Sequence, residues 1–342
     1  MFVPVTSKSG KRLMPTHPNK AGVLIKKGLA TPYWSNGIFC IRLNYETKEH
    51  TQEIAVGVDP GSKKEGFTVK SEGHTYLNVQ ADAHNKVGKK VEKRRELRRS
   101  RRSRKCPNRK NRTNRLANRE RIPAGTRARW DWKLRILDWL SKLYPITHVC
   151  VEDIKARTLQ RAKKWNQSFS PLEVGKQWFY TKIEKRWELR TPQGWKTKEI
   201  RDRLGLKKSS KKLAETFEAH CVDSWCLAYH AVGGEGIPDN TSIFCISPIR
   251  IKRRELHRQQ ESKGRKRSRQ GGTVLGKGLI KNTLIKHVKY GLTRLAGINA
   301  RGLFSIYTLE GNKRLTTDAK RSDFRLLTRL NFNYRSGHSS QT

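Results

Sequence analysis

The sequence is poor in acidic residues, in paired cysteines and in long apolar runs. Asp and Glu number 29 against 75 Lys and Arg, which gives a formal net charge of +46. None of the six cysteines forms a CxxC pair, so neither a zinc ribbon nor a disulfide framework is expected. No apolar run approaches the roughly 20 residues that span a bilayer, and the N-terminus lacks the apolar core of a signal peptide. These absences predict a soluble protein in a reducing, cytoplasmic compartment.

The basic charge is most concentrated in one tract. Between Lys89 and Arg121, 17 of 33 residues are Lys or Arg and three are Glu. If this tract is helical it is basic all round and buries almost nothing, so it needs an anionic partner. Nucleic acid is the expected partner because one Arg guanidinium group can donate two hydrogen bonds to the oxygens of one phosphate. A membrane surface is the weaker alternative. The residues expected to contact RNA or DNA are Arg94, Arg95, Arg98, Arg99, Arg101, Arg102, Arg104, Lys105, Arg109, Arg112 and Arg115.

Three acidic residues stand out because of where they occur. Asp59 ends the apolar strand predicted from IAVGVD, and Glu152 and Asp153 end the strand predicted from THVCVED. Asp223 lies on a helix predicted from Lys211 to Val232, with His220 three residues earlier on the same face. Oxygen ligands bind Mg²⁺, and two such ions can activate a water and stabilise a leaving oxygen. The acids together therefore suit metal-ion chemistry on phosphates.

The rest of the pattern predicts a mixed α/β chain. FTVK and YLNVQ predict two more strands at hairpin spacing, and WDWKLRILDWLSKLY predicts a helix. WSNGIFCIRLNY predicts one strand near the N-terminus, and the basic loops and short strands after Ser247 predict a small β-rich module. Core packing is expected for Trp130, Trp132 and Trp139. Contact with RNA or a heteroduplex is expected for four further residues: Trp165, Trp178, Trp187 and Trp195.

The motifs IAVGVDPG, VCVEDIKA and HCVDSWCLA, in this order, resemble those of the RuvC-type branch of the RNase H fold. The resemblance implies metal-dependent cleavage of a DNA phosphodiester, with Asp59, Glu152 and Asp223 as ligands of two Mg²⁺ ions, for which Mn²⁺ can substitute. His220 would be a proton shuttle or a residue that positions the nucleophile. A capping or phosphate-contacting histidine is the alternative.

Several segments resemble one group of RuvC relatives. The basic tract between the first two acidic motifs is similar to the bridge helix of RNA-guided effectors, which a free-standing junction resolvase lacks. KRLMPTHPNKA is similar to the PLMP motif that opens IscB and IsrB proteins, with Arg12 in place of its first proline. GWKTKEIRDRLGLKK, and RRELHRQ with GGTV, are similar to further segments of these families. IscB carries an HNH nuclease before the third motif, and an HNH nuclease requires histidines and often has zinc-binding cysteines. Residues 153 to 219 of this chain contain neither histidine nor cysteine, so no HNH nuclease is expected. TnpB-like effectors usually carry a CxxC zinc ribbon, which this chain lacks. The chain therefore most resembles IsrB, the relative without HNH.

The resemblance to IsrB implies an RNA-guided nickase. A structured guide RNA (ωRNA) would pair with one strand of double-stranded DNA beside a short motif, and the RuvC site would cut the other strand. The protein would act as a monomer in a prokaryotic, cytoplasmic ribonucleoprotein. A non-catalytic RNA-binding protein and a guide-free junction resolvase are the alternatives.

The implied domain organisation has eight parts. They are a PLMP-like module (1–52), RuvC part I (53–88), the arginine-rich bridge helix (89–125), RuvC part II (126–160), a basic RNA- or heteroduplex-contacting segment in place of HNH (161–210), RuvC part III (211–246), a β-rich module for the target-adjacent motif and RNA (247–330) and a disordered tail (331–342).

Overall fold

A computed structural model describes most of the chain, and it divides into two compact units. The described residues are 2–105, 122–154, 171–211, 213–248, 256–257, 269–270, 279–299, 301–309, 313–330 and 332–336. The first unit contains His50–Ile243, and the second contains Phe2–Glu49 with Phe244–Gly337. Both α-helices and β-sheets are present, so the predicted mixed α/β class is confirmed.

The described residues form the following elements. The helices are α1 Pro18–Lys26, α2 Lys86–Lys105, α3 Ala124–Leu140, α4 Pro171–Glu184, α5 Gly194–Arg203 and α6 Val222–Val232. The strands are β1 Val3–Thr6, β2 Arg12–Thr16, β3 Ala30–Ser35, β4 Ile38–Leu43, β5 Ile54–Asp59, β6 Lys64–Ser71, β7 Thr75–Asp82, β8 His148–Val151, β9 Glu188–Arg190, β10 Ile243–Pro248, β11 Leu256–His257, β12 Arg269–Gln270, β13 Thr283–His287, β14 Gly291–Ile298, β15 Phe304–Tyr307, β16 Arg314–Ala319, β17 Phe324–Arg329 and β18 Phe332–Ser336.

The first unit is built on a sheet in which β5 lies at the centre. β5, β6 and β7 form an antiparallel meander, as FTVK and YLNVQ predicted. On the other side of β5, β8 and then β9 add in parallel, so this part of the sheet runs β7-β6-β5-β8-β9. β5 and β8 are buried on both faces, which is why their sequences are continuous apolar runs.

Helices cover both faces of this sheet. On one face α3 buries Trp130, Trp132 and Trp139, as predicted, and α4 packs Phe179 against Trp130 with 4.9 Å between the ring centroids. On the other face lies α6, which packs against β5 and β6. Consecutive residues of β6 distinguish the two faces, because Glu65 binds Lys133 of α3 whereas Gly66 contacts the segment before α6.

One expectation about the first unit was wrong. The helix predicted from Lys211 to Val232 begins at Val222 and is preceded by one π-helical turn, Phe217–Cys221. Upstream of that turn the carbonyl of Ala214 accepts a hydrogen bond from the Gln80 side chain at 3.0 Å, outside any helix. The segment 161–210, expected to contact RNA or a heteroduplex in place of HNH, contains β9, which pairs with β8 of the central sheet. Its contact with nucleic acid stays a prediction.

The second unit contains two antiparallel-rich sheets with separate cores. The first has the order β2-β1-β4-β3, and the second, of five strands, runs β16-β15-β14-β13-β17. The prediction of one strand from WSNGIFCIRLNY was wrong. Asn36 and Gly37 both have positive φ angles (48° and 96°), so the chain turns there and forms the β3–β4 hairpin.

The expectation that residues 331–342 form a disordered tail was wrong for residues 332–336. Phe332–Ser336 forms β18, which pairs antiparallel with β10, and Tyr334 stacks on Phe244 with 5.1 Å between the ring centroids. The described part of the β-rich module after Ser247 consists mainly of strands, as predicted. Residues 337–342 lie outside the described part of the chain.

Candidate active site

Asp59 and Glu152 lie at the same edge of the central sheet. Asp59 is the last residue of β5, and Glu152 directly follows β8. β5 and β8 are parallel, and Val58 stands opposite Val151. The Glu152 backbone N–H donates to the carbonyl of Val58 at 3.1 Å, which fixes the two acids side by side. Pro60 has no N–H to donate and ends the strand, so Asp59 stands at its rim.

Asp223 reaches this edge because two glycines let α6 approach the sheet closely. Gly66 stands opposite Asp59 on the neighbouring strand, and Gly57 lies two residues before Asp59, so all three share one face. A Cβ on Gly57 would lie 1.8 Å from the carbonyl oxygen of Ser224, and a Cβ on Gly66 would lie 2.2 Å from that of His220. Any side chain at either position would therefore push the helix away.

Hydrogen bonds then lock the helix in place. Thr68, opposite Gly57, shares a hydrogen bond of 2.8 Å with the hydroxyl of Ser224. Asp223 lies in the first turn of α6 and is only 3% exposed. The sequence separates the three acids by 93 and 71 positions, and the sheet and its helix bring them together.

The charges of the three acids act on one another. Burial, and then the neighbouring charges of Glu152 and Asp223, raise the pKa of Asp59 well above its usual range. Burial, and then the charge of Asp223, raise the pKa of Glu152. A hydrogen bond joins the side chains of Asp59 and Glu152. Like charges gathered in this way favour a bound cation.

Two basic residues that the sequence analysis did not single out bind Asp223. Arg201 donates from Nη1 to Asp223 Oδ1 at 2.6 Å, and Lys208 donates from Nζ to Oδ2. The Lys208 charge also lowers the pKa of both Asp59 and Glu152, so its ammonium group acts on all three acids. The only sequence signal was GWKTKEIRDRLGLKK, which contains both residues and which was noted for its resemblance alone.

The donor chemistry of the site fits a hard divalent cation such as Mg²⁺. Carboxylate oxygens are its preferred protein ligands, and Asp59 and Glu152 adjoin each other at the sheet edge. Within the described ranges, no three His, Cys, Asp or Glu residues converge closely enough to form a ligand set by themselves. Because Asp223 is bound by Arg201 and Lys208, a metal ion that took Asp223 as a ligand would have to replace at least one of them.

His220 lies in the π-helical turn, three residues before Asp223, and is half-buried. Its backbone carbonyl faces Gly66, which stands opposite Asp59 in the sheet. His220 therefore lies next to Asp59, Glu152 and Asp223, which we call the acidic cluster. Such single π-helical turns occur frequently at functional sites. The role predicted for His220 stays a prediction.

The predicted nucleic-acid contacts lie partly in α2. Every residue of Lys89–Arg101 is exposed, as are Ser103 and Arg104, so the described part of this helix has no buried face. Arg102 and Lys105 belong to the helix. Arg109, Arg112 and Arg115 lie outside the described residues.

The tryptophans expected to contact nucleic acid differ in their surroundings. Arg127 stacks on Trp178 with 3.6 Å from Cζ to the ring centroid, and Arg186 stacks on Trp187 at 4.0 Å. Trp195 is 64% exposed next to Gly194, whose Cα adjoins the Glu152 carboxylate. Trp165 lies outside the described residues.

Comparison with known proteins gives a family match for the first part of the chain. Residues 3–167 match the model of the family described as RRXRR protein. This region includes α2 and the first two acids of the cluster, and it is just under half of the chain. None of the curated proteins compared with the chain matches it in sequence.

Among solved structures, the chain is similar to T. thermophilus RuvC in complex with a Holliday junction substrate. The two are 12% identical, and the alignment covers 53% of this chain and 97% of that one. The TM-score is 0.26, which is too low to carry an argument about function. No helix in the described part of the chain is both long and apolar enough to cross a membrane.

Proposed function

We propose that this chain is an RNA-guided DNA endonuclease of the RuvC type that nicks one strand. The observation that carries the proposal is that Asp59 and Glu152 share a hydrogen bond at one edge of a buried sheet and the charge of Asp223 acts on both, in a chain with few acids. Buried like charges are costly unless the site uses them, so such a cluster favours a catalytic role over a structural one.

Asp59, Glu152 and Asp223 would hold two Mg²⁺ ions, for which Mn²⁺ can substitute. The bound ions supply an activated water and stabilise the leaving oxygen of the phosphodiester. Arg201 keeps the Asp223 carboxylate oriented, and Lys208 places a positive charge where the scissile phosphate would approach. His220, three residues before Asp223, would position the attacking water or accept its proton.

The guide RNA would be held by the basic surfaces, above all by α2. This helix presents basic side chains on all sides and follows the meander strand β7 after three residues, so it projects from the same unit that holds the acids. Arg pairs with phosphate regardless of sequence, and base pairing would then select the DNA target. The β-rich module after Ser247 would contact the target-adjacent motif and part of the RNA.

The proposal of an IsrB-type nickase with a single RuvC site rests on the sequence resemblance and on the lack of His and Cys in residues 153 to 219. The structure supports it through β9, because part of this segment pairs with β8 and belongs to the RuvC-like sheet. With one catalytic site, only the displaced, non-target strand would be cut.

The test is plasmid nicking by the ribonucleoprotein. The full chain purified with its RNA, whose sequence reveals the guide, should convert a matching supercoiled plasmid with Mg²⁺ into open circles. Asp59→Ala should reduce the rate at least about 10³-fold, while Glu199→Ala, which removes an exposed acid of α5 that pairs with Lys196, should cut normally.

Each alternative predicts a different product. An intact plasmid, or cleavage by Asp59→Ala at the wild-type rate, would contradict the nuclease proposal and favour a non-catalytic RNA-binding protein. Cleavage of four-way junctions without RNA would identify a guide-free resolvase. Linear DNA from one target would show a second cut and contradict the nickase.

A further inference from the structure

A cavity of about 140 Å³ opens beside the acidic cluster, between the sheet edge and the helices α3 and α4. Glu152 lines both the cavity and the acidic cluster, and Pro60 and Gly61, which follow Asp59, form another part of the wall. A ligand in this cavity would therefore lie directly next to the reacting phosphate. The proposed mechanism leaves this space unused.

The cavity wall contains two buried lysines whose charges are already matched. Lys133 is 3% exposed and donates to Glu65 at 2.7 Å, and Lys176 is 7% exposed and donates to Asp153 at the same distance. Burial by itself would lower the pKa of Lys176, but its hydrogen bonds to the carboxylates outweigh burial and raise the pKa. Because the buried charges balance, the cavity suits an uncharged polar ligand better than a phosphate.

The remaining walls suit a flat ring. Trp130 lines the cavity together with Leu172 and Ile154, and Arg129 is an exposed lining residue with no ion-pair partner among the residues that the structure describes. A guanidinium group can donate two hydrogen bonds to the edge of a base. An apolar cavity of about 150 Å³ accommodates one benzene ring, so this one has room for one six-membered ring.

We infer that this cavity binds a single unpaired nucleobase next to the scissile phosphate, and a pyrimidine in preference to a purine. Trp130 is 5% exposed, and its ring packs against Phe179 at 4.9 Å and against Lys133 Nζ at 4.7 Å, so it supplies only a ring edge to the cavity wall. Arg129 recognises the edge of the base. A base that is paired within a duplex cannot enter such a cavity unless it leaves the stack. The cavity thus gives the site a preference for single-stranded DNA. This inference rests on the proposed function for the identity of the ligand strand.

The test compares short oligonucleotides that carry the same phosphates. A fluorescent trinucleotide of three thymidines is bound to the full chain in EDTA, which prevents cleavage, and at raised salt, which weakens phosphate contacts. Three unlabelled competitors are then added: the same trinucleotide, one with an abasic central position and one with a central adenine. We expect the first to compete about tenfold better than the abasic one, as burial of one pyrimidine ring in the cavity would give, and the adenine to fall between them.

Variants separate the cavity from general charge. Ile154→Trp fills the cavity from an exposed wall residue and should make all three competitors equal. Arg129→Ala should reduce the thymine advantage. Arg135→Ala removes an exposed arginine of the same helix that does not line the cavity, and should retain the full advantage. Urea unfolding of each variant shows whether it is folded.

Equal competition in the wild type, or an unchanged thymine advantage in folded Ile154→Trp, would overturn the inference. If the ribonucleoprotein nicks its plasmid but the competitors are equal, only the cavity assignment fails. If the competitors differ as expected but no nicking occurs, the proposed nuclease fails and the base-binding cavity stands.

Discussion

At the scale of single residues, Gly57 and Gly66 decide whether the acids can meet. Gly57→Ala would place a methyl group 1.8 Å from a backbone oxygen of α6, and backbone cannot swing aside as a side chain can. We expect a loss of at least about 3 kcal/mol in unfolding free energy, measured with urea. Gly88→Ala is the control, because nothing lies within 4 Å of that position in helix α2, and it should stabilise by about 0.5–1 kcal/mol. Equal stability of the two variants would contradict the close approach.

Glu65 gives a prediction about pH. Burial raises the pKa of Glu65, and the charge of Lys133 opposes this rise only in part. A carboxyl with a higher pKa in the folded chain than in the unfolded chain contributes stability below its unfolded pKa. That contribution disappears as the pH rises through the folded pKa. The unfolding free energy of the wild type minus that of Glu65→Gln should therefore decrease as the pH rises above about 4.

Below the unfolded pKa both side chains are uncharged beside Lys133, so the two proteins should have similar stability there, and the wild type should become the less stable of the two at neutral pH. Urea titrations at a series of pH values measure both effects. A difference between the two proteins that grows with pH would contradict the raised pKa.

Lys208 should compete with metal ions for Asp223. It binds Asp223 Oδ2 and is 45% exposed, so its loss should be tolerated by the fold. We expect Lys208→Gln to lower the Mg²⁺ concentration for half-maximal thermal stabilisation by about two- to fivefold, as an ion pair of about 0.5–1 kcal/mol would give. Lys207→Gln removes the adjacent exposed lysine and should leave that concentration unchanged. Weaker metal binding by Lys208→Gln would instead show that Lys208 helps to assemble the site.

At the scale of elements, none of the α2 side chains that the structure describes is buried, so we expect the role of this helix to come from its charge. Replacing Arg98, Arg99, Arg101 and Arg102 with Ala keeps helix propensity but removes four charges. We expect less RNA to co-purify with this variant, while Mg²⁺ still stabilises it, because the acids lie on other elements.

The control for the α2 variant removes the same number of exposed charges elsewhere in the first unit: Lys182, Lys185, Arg203 and Lys211. RNA content and thermal shift are read on both. Equal RNA content in the two variants would show that α2 contributes no more to RNA binding than other exposed basic residues do.

Strand β9 was not predicted from the sequence, and its position at the edge of the sheet explains why it forms. β9 is only three residues long, and ELR has no apolar alternation that would predict a strand. It forms because β8 offers an open parallel edge, and Asp153 continues the ladder with a bridge to Gln193. This pairing places the start of α5 against Glu152 and so carries Arg201 towards Asp223.

At the scale of the whole molecule, the net charge of +46 governs association. Each phosphate that the protein neutralises releases counterions, so the logarithm of RNA affinity should fall linearly with the logarithm of salt concentration. We expect a loss of at least about 10³-fold between roughly 50 and 200 mM salt, measured by fluorescence anisotropy. A loss below about tenfold would show that few of the basic residues contact phosphate.

The sequence by itself determined the strands that carry Asp59 and Glu152 and the basic helix, and its charge is the basis for proposing nucleic acid as the partner. Apolar runs, turn residues and charge are local properties, and local properties can be read along the chain. The β3–β4 hairpin was also within reach, since Asn36-Gly37 is a recognised turn pair that was missed.

Only the tertiary structure decided how the acids meet and what surrounds them. The approach of α6 depends on Gly57 and Gly66, and the pairing of Asp223 with Arg201 and Lys208 joins residues whose spacing has no period. The cavity beside Glu152 is likewise formed by three elements distant in sequence. Such contacts arise from strand pairing and packing across the chain, and for this reason the acids could be picked out in the sequence but the residues that surround them could not.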